Sequence, residues 1–373
     1  MKKIVITGAD GFVGRNLMVH LKSSNEEVSI ETITKKDTSA EEIKLKLQGA
    51  DIIYHLAGVN RPNSIEEFET GNADFTQNIV DFIKETDSIP TIILSSSTQA
   101  AIDNPYGQSK RKAEDILREY ANSQKEASIY IYRLCNVFGK WSKPNFNSVI
   151  ATFCHNIARD LPISINNPDA EVSLVYVDDV VSKFIEHIST PKQIGINHIS
   201  ISEIYTANVQ ELADLIYSFK NIRKSLVIPD FSNQLVKKLH STYLSFLPID
   251  NFAYDLLERT DNRGTLVELC KSGSFGQIFV STTHPGITRG NHFHHTKVEK
   301  FIVVKGDAVI RFRKVDSGEV IEYPVSGNKI QVVDIPIGYT HHIENVGDQE
   351  MIVLFWANEI FDQERPDTYF ETV

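Results

Sequence analysis

The stretch Thr7-Gly8-Ala9-Asp10-Gly11-Phe12-Val13-Gly14 constrains this chain more than any other. It follows the apolar run Ile4-Val5-Ile6 and leads into a pattern that sets Val13, Leu17, Met18 and Leu21 on one helical face. Read as strand, glycine turn and helix, it gathers the backbone N–H groups of Gly8, Gly11, Phe12, Val13 and Gly14 at the start of a helix. Amides and helix dipole both favour negative charge there, which makes the turn a site for a pyrophosphate. The glycines permit the tight turn, the approach of backbone to phosphate and the close packing of helix on strand. Three glycines alone also fit an ordinary turn, so the rest of the chain has to supply the context.

Residues 1 to about 140 alternate short apolar runs with helical stretches. Strands are expected over 4–7, 28–32, 51–57, 91–95 and 128–133, with helices between them, for example over 65–84 and 110–121. Such alternation means a doubly wound parallel sheet with helices on both faces and its functional loops at the C-terminal edge. After the second strand, where an acid commonly meets a ribose 2′-hydroxyl, Lys35 and Lys36 stand instead. Two lysines suit a 2′-phosphate and point to NADP(H); the alternative is a pair of solvated surface lysines. His55-Leu56-Ala57-Gly58 ends the third strand in small residues against which a cofactor can lie. Asn72 and Asn78 follow on a helix, where either can be a plain surface amide.

The strongest chemistry of this half is Ser95-Ser96-Ser97 at a strand end, followed by Tyr106-Gly107-Gln108-Ser109-Lys110 at a helix start. Tyr106 and Lys110 are four apart and share a helix face. An ammonium beside a phenol lowers its pKa, so Tyr106 can donate a proton near neutral pH while a serine hydroxyl holds the same carbonyl oxygen. Spacing alone does not choose between Ser96 and Ser97. With the glycine turn and His55-Leu56-Ala57-Gly58, these residues make 1 to about 240 resemble the extended short-chain dehydrogenase/reductases. The resemblance implies that Tyr106 is the acid/base, that Lys110 holds the nicotinamide ribose and tunes Tyr106, and that Ser97 polarises the carbonyl. It also implies a smaller substrate lobe after Arg133-Leu134-Cys135-Asn136-Val137-Phe138-Gly139, with Asn136, Asn147 and Arg159 as contacts to a nucleotide-sugar. Residues 191–250 carry weak signals, with helices expected over 209–220 and 233–247 and a hinge at Pro248-Ile249-Asp250.

From about 251 strand-like runs recur every ten residues or so, separated by glycine or polar turns, as in an all-β sandwich or barrel. Two domains are therefore expected, 1–245 and 251–373. His292 and His294, two apart on one strand, face the same side, and Glu299 and His341 enter from neighbouring strands. Three imidazoles and a carboxylate at one point suit a divalent metal, zinc first, with iron, manganese or nickel as alternatives. With Gly286, Gly306 and Pro336-Ile337-Gly338-Tyr339-Thr340-His341, these spacings resemble the two motifs of the cupins, which implies a jelly-roll barrel. Ile330 stands where that family has a leading glycine in the second motif. A competing resemblance, carried by Asp261-x-Arg263-Gly264 and Arg289-Gly290-Asn291-His292, is to the nucleotide-sugar 3,5-epimerases, in which the histidine is a base rather than a ligand. Tyr339, His295, Lys300 and His342 flank the cluster as candidate acids or bases.

A 4-keto group acidifies the neighbouring C3 proton and is also what a Tyr–Lys reductase consumes, so both halves suit one substrate class. End to end the chain resembles the bifunctional enzymes of capsular-polysaccharide synthesis, through Ala57-Gly58-Val59-Asn60-Arg61-Pro62, Asp103-Asn104-Pro105-Tyr106-Gly107 and the ending Pro366-Asp367-Thr368-Tyr369-Phe370. That resemblance implies C3 epimerisation of a UDP-linked 4-keto-6-deoxy amino sugar by the barrel. It further implies NADPH-dependent reduction at C4 by the first domain, and a homodimer built through the barrels. A net charge of −11 argues against a nucleic-acid surface. Three dispersed cysteines, no leader-like segment and no run long enough to span a membrane lead to the expectation of a cytoplasmic setting.

Overall fold

Six parallel strands form the first sheet of the computed structural model, which describes residues 1–24, 26–37, 39–86, 88–315 and 318–373. They are β1 (Lys2–Thr7), β2 (Val28–Ile33), β3 (Ile52–His55), β4 (Thr91–Ser97), β5 (Ser128–Leu134) and β8 (Gly195–Ile199), in the order β2-β1-β3-β4-β5-β8. A central parallel strand is covered on both faces and so reads as an unbroken apolar run. In β1, Ile4 and Ile6 join one core while Val5 joins the other, and all three are fully buried. The first core is closed by α1 (Phe12–Ser23) and α7 (Val177–Ser189), through Leu17, Leu21, Val180 and Phe184. The second is closed by α2 (Ala40–Leu47), α4 (Phe75–Lys84) and α5 (Pro105–Ser123), through Leu47, Ile79, Ile83 and Leu117. Each such side chain contributes about 1.5–3 kcal/mol on burial. The strand order reverses between β1 and β3, and a sheet of this kind binds its ligand in the crevice at that reversal.

Two details depart from the sequence reading. The expected helix over 65–84 is interrupted: α3 (Glu66–Phe68) runs into a six-residue π-helical stretch, Glu69–Asp74, before α4 begins. The sixth strand, β8, lies where the sequence signal fades. A second, three-stranded sheet of β6 (Asn136–Phe138), β7 (Glu171–Tyr176) and β9 (Ile204–Asn208) stands with α6 (Val149–Ala158) after the last central strands. The chain continues through α8 (Val209–Ser225) and α9 (Gln234–Leu244).

The second half is antiparallel. One sheet orders β10 (Glu258–Asp261), β11 (Gly264–Ser272), β12 (Gly276–Thr283), β19 (Met351–Ala357), β14 (Glu299–Lys305) and β17 (Val332–Ile335). The other orders β16 (Val320–Ser326), β15 (Asp307–Lys314), β18 (Tyr339–Asn345), β13 (Thr288–Phe293) and β20 (Tyr369–Phe370). Alternate residues such as Phe301, Val303, Ile310, Phe312, Ile343, Val353 and Phe355 turn inward to one core, as the period-2 pattern requires. Contacts divide the chain into Met1–Tyr217 with Lys237–Pro248, and Ser218–Val236 with Ile249–Val373. Residues 218–236 therefore go with the barrel: Val227 bridges Lys271, Ile228 N–H donates to Lys271 O at 2.7 Å, and Arg223 donates to Asn251 Oδ1 at 2.7 Å. Among the described residues no helix is long and apolar enough to cross a membrane.

Candidate functional site

At the β1/β3 reversal the backbone itself forms the cradle. Gly8 has φ +70°, and a Cβ there would lie 2.7 Å from Ala57 N; one on Gly14 would lie 2.2 Å from Gly8 O. No side chain fits either place, so α1 begins flush against the turn. Gly11 is the N-cap, no side chain caps it, and no acid stands in the first turn. The opening amides of α1, at Phe12, Val13 and Gly14, keep their anion-binding capacity. Beside them Ala57 N–H donates to Thr7 Oγ1 at 3.2 Å, and His55 bridges Thr7 Oγ1 (2.8 Å) and Thr76 Oγ1 (2.9 Å). Burial pushes the His55 imidazole down to about 3, so it stays neutral and serves as a brace for the Leu56-Ala57-Gly58 turn. Lys35 and Lys36 lie exposed after β2. The acid of that turn, Asp37, is already engaged: it pairs with Lys46, accepts Thr34 N–H at 2.7 Å, and is held far below the usual carboxylate range, chiefly by the Lys46 bond.

The proton-donor group is assembled by α5. Asn104 caps it by accepting Gly107 N–H at 2.7 Å, Pro105 opens it, and Gly107 is required because a Cβ there would sit 2.2 Å from Gln99 O. This close approach brings Tyr106 to the end of β4, where Ser97 lies near enough to the phenol to act on its pKa. Ser96 faces the other way and donates to Glu114 at 2.5 Å, so the two serines that spacing could not separate are separated by the pleat. Lys110 is buried and donates to Ser95 O at 2.7 Å. Burial pushes its pKa down to about 8, opposed by the Glu114 carboxylate. The expectation that Lys110 lowers the Tyr106 pKa is not met: burial raises it, and the nearby Ser97 hydroxyl works against that rise.

Asn72, for which the sequence left a surface amide open, is buried within the π-helical stretch. Its Oδ1 accepts Val59 N–H at 2.8 Å, and its Nδ2 donates to Val59 O at 3.0 Å and to Ser109 Oγ at 2.9 Å. A Cβ on Gly58 would lie 2.9 Å from Asn72 Oδ1 and 3.7 Å from Lys110 Nζ, and Asn72 ties the Leu56-Ala57-Gly58 turn to α5. A π turn inside a helix often marks such a place, but residue spacing does not announce it. Asn136, Asn147 and Arg159 sit in separate settings. Asn136 donates from β6 to Ser173 O at 3.0 Å, and Asn147 is exposed before α6. Arg159 closes the end of α6 by donating to His155 O (3.2 Å) and Phe246 O (2.8 Å). A cavity of about 530 Å3, lined by Thr98, Arg133, Cys135, Val175 and His198 among others, opens next to Ser97.

In the barrel, ligand atoms of His292, His294, Glu299 and His341 all lie within 4.8 Å of one another. Glu299 Oε2 is 3.4 Å from His294 Nε2 and 3.5 Å from His341 Nε2. His341 Nε2 is buried without a hydrogen-bond partner, a costly arrangement unless that nitrogen has a ligand. Burial raises the Glu299 pKa, but the closeness of His294, His341 and Lys297 outweighs it and holds the carboxyl below its usual range; burial pushes His292 down to about 4, so it is neutral. Imidazole nitrogens and a carboxylate are the donor set that a divalent ion takes, so the residues present fit the group. His292 converges on the other three, which favours its reading as a ligand over that of a base. His294 lies just past β13 rather than on it, and the aim of His292 comes from a bulge at Gly290/His292, where Asn291 has φ +58°. Of the flanking candidates, His342 faces away from His341 and bonds Asn291 Oδ1 at 3.0 Å, and Lys300 pairs with Asp334 in solvent. His295 is exposed against Tyr369, and Tyr339 is half-buried. Lys297, passed over in the sequence, is buried with Nζ 3.8 Å from Glu299 Oε1.

A nucleotide-binding α/β domain with a Ser–Tyr–Lys set, joined to a β-barrel with a three-histidine, one-carboxylate cluster, defines a two-domain oxidoreductase class. Residues 4–201 match the NAD dependent epimerase/dehydratase family, to which the chain belongs, and residues 259–369 match the polysaccharide biosynthesis C-terminal domain. The chain is 45% identical over 368 residues, 98% of each sequence, to the UDP-2-acetamido-2,6-beta-L-arabino-hexul-4-ose reductase of Pseudomonas aeruginosa. It is similar to the crystal structure of the capsular polysaccharide assembling protein CapF from Staphylococcus aureus, with TM-score 0.92 and 48% identity over 99% of this chain and 100% of that one. Over 125 residues, 30% of this chain and 80% of the other, it is 26% identical to the probable low-salt glycan biosynthesis epimerase Agl13 of Haloferax volcanii.

Proposed function

We propose that this chain converts a UDP-linked 2-acetamido-2,6-dideoxy-4-hexulose in two steps, for capsule or surface polysaccharide. Its barrel domain epimerises C3, and its first domain reduces the C4 ketone to give UDP-2-acetamido-2,6-dideoxy-L-talose. The observation that carries this reading is the presence on one chain of the Ser97–Tyr106–Lys110 set and the converging His292–His294–Glu299–His341 cluster. The relative named as a 4-ulose reductase and the one named as a probable epimerase support the two halves.

In the reductase half, Tyr106 gives its proton to the C4 oxygen and Ser97 holds that oxygen in line. Lys110 keeps a positive charge beneath the site. NADPH would be held by Gly8, Gly11, Phe12, Val13, Gly14, Leu56, Ala57, Gly58, Tyr106 and Lys110, with Lys35 and Lys36 for its 2′-phosphate, and would supply a hydride for C4. The engagement of Asp37 by Lys46 supports NADPH over NADH, because the turn then offers two cations and no available acid. Asn136, Asn147 and Arg159 are proposed for the nucleotide-sugar. In the barrel half, His292, His294, Glu299 and His341 would hold a divalent metal, zinc first, whose positive charge would polarise a carbonyl next to the carbon acid. The exposed apolar side chains of β16, Val320, Ile321 and Tyr323, support a homodimer through the barrels, which sedimentation would check.

Product analysis by NMR of a UDP-4-keto sugar in D2O tests the whole. Without NADPH, deuterium should enter at C3 and no alcohol should form; with NADPH, the C4 alcohol should accumulate. Reduction without any exchange at C3 would leave a reductase whose barrel is only structural, and would overturn the two-step reading.

A further inference from the structure

The four barrel ligands lie on segments between 292 and 341, yet each of those segments is held by the last residues of the chain. Resting on the metal reading above, we propose that the C-terminal segment 367–373 is the outer frame of the metal centre and sets the aim of all four ligands.

The contacts run ligand by ligand. His294 Nδ1 is 2.5 Å from the main-chain carbonyl of Asp367. A carbonyl can only accept, so the proton sits on Nδ1 and the lone pair of Nε2 points toward Glu299, 3.4 Å away. The loop from His294 to Glu299 is pinned by the Asp367 carboxylate, which accepts the successive N–H groups of His295 (3.0 Å), Thr296 (2.7 Å) and Lys297 (2.8 Å) and the Thr296 hydroxyl (2.9 Å). Lys297, beside Glu299, donates to Thr368 Oγ1 at 3.0 Å. His292 pairs with Phe370 between β13 and β20, and the bulge that aims it is gripped at Asn291, whose carbonyl accepts Glu371 N–H at 3.0 Å. Thr340, buried next to His341, donates its hydroxyl to Glu371 O. The segment contributes no ligand of its own; it touches His294 itself, the residues next to His292 and His341, and Lys297, two positions before Glu299. Partners of this kind hold a ligand in one tautomer and one orientation, and their loss typically weakens metal binding by about 10–100-fold.

The test is Co2+ titration, with chelator competition, of full-length wild type, Asp367→Ala and Thr340→Val, together with melting of each protein free of metal. Asp367→Ala and Thr340→Val should bind Co2+ at least about tenfold more weakly and show altered d–d bands, with Asp367→Asn recovering part of the affinity. A purely structural role would lower the metal-free melting temperature and leave affinity and spectrum as in wild type, which would overturn the inference. Should Asp367→Ala fail to fold, Thr340→Val decides by the same criterion. A wild type that takes up no Co2+ would instead sink the metal reading itself, and this inference with it.

Discussion

Replacing Glu114 by glutamine should move the alkaline limb of the reduction to lower pH by about one unit. Glu114 lies fully buried one helical turn beyond Lys110, where it takes the Ser96 hydroxyl at 2.5 Å and the Arg133 guanidinium at 2.9 and 2.6 Å. Lys110 is pushed down to about 8 by burial, and Glu114 is what holds it that high. As pH rises through that value Lys110 loses its proton, and the site loses the charge beneath Tyr106. The phenol itself is raised above 10 by burial, so the limb near 8 belongs to Lys110 and not to Tyr106. A unit charge one helical turn off, taken for scale at about 7 Å with an effective dielectric of about 20, is worth about 2.4 kcal/mol. At 1.36 kcal/mol per unit, that is about 1.7 pH units. Arg133 already offsets part of the carboxylate, which brings the expected drop to about one unit. The substitution takes the pair from neutral to a net positive charge, so the sign is not in doubt: a further cation near Lys110 makes its ammonium easier to deprotonate. Glutamine keeps an acceptor for Arg133 and a partner for Ser96, and Arg133 is 38% exposed to water, so the fold should survive. The assay is kcat for NADPH consumption against pH, with a UDP-4-keto sugar as substrate. A limb that stays at the wild-type pH, or moves up, in a folded variant would refute this account of Lys110.

Tyr106→Phe should lower NADPH consumption by about 100-fold or more, as expected for loss of a general acid, while deuterium exchange at C3 continues; loss of both in a folded protein would break the division of labour. Gly14→Ala should weaken NADPH binding and lower the melting temperature, since its Cβ would meet Gly8 O at 2.2 Å and overpacking costs about 1–3 kcal/mol; fluorescence titration and thermal melting check both. Lys35→Ala and Lys36→Ala should each raise the KM for NADPH by no more than about fivefold and leave that for NADH unchanged, because exposed charge pairs are worth at most about 1 kcal/mol; equal effects on both cofactors would remove the 2′-phosphate assignment.

How far the sequence shows the sites depends on whether a side chain's role is set by its near neighbours or by a distant part of the chain. Gly8, Gly14, Tyr106, Lys110, Glu299 and His341 fall where strand and helix periods carry them over a few residues, whereas His294 lies past β13 and a bulge aims His292. The choice between Ser96 and Ser97 was not, since it rests on which face of β4 meets Glu114, eighteen residues away. Asn72 escaped for a different reason: helical spacing puts it on the face of Thr76, Ile79 and Ile83, but its partners, Val59 and Ser109, come from other elements. The Tyr106 pKa went against expectation because adjacency in sequence says nothing about desolvation, and burial outweighs a neighbouring hydroxyl. Asp367 is the extreme case. Nothing in Pro366-Asp367-Thr368 distinguishes it from a polar tail until β20 pairs with β13 and brings it against residues seventy positions earlier. Chemistry that a motif carries within one element is therefore readable from the chain, whereas the groups that hold the motif in its working orientation come from wherever the fold returns. The residues most open to being overlooked at these two sites, Glu114 and Asp367, are for that reason carboxylates that bind protein donors on other elements.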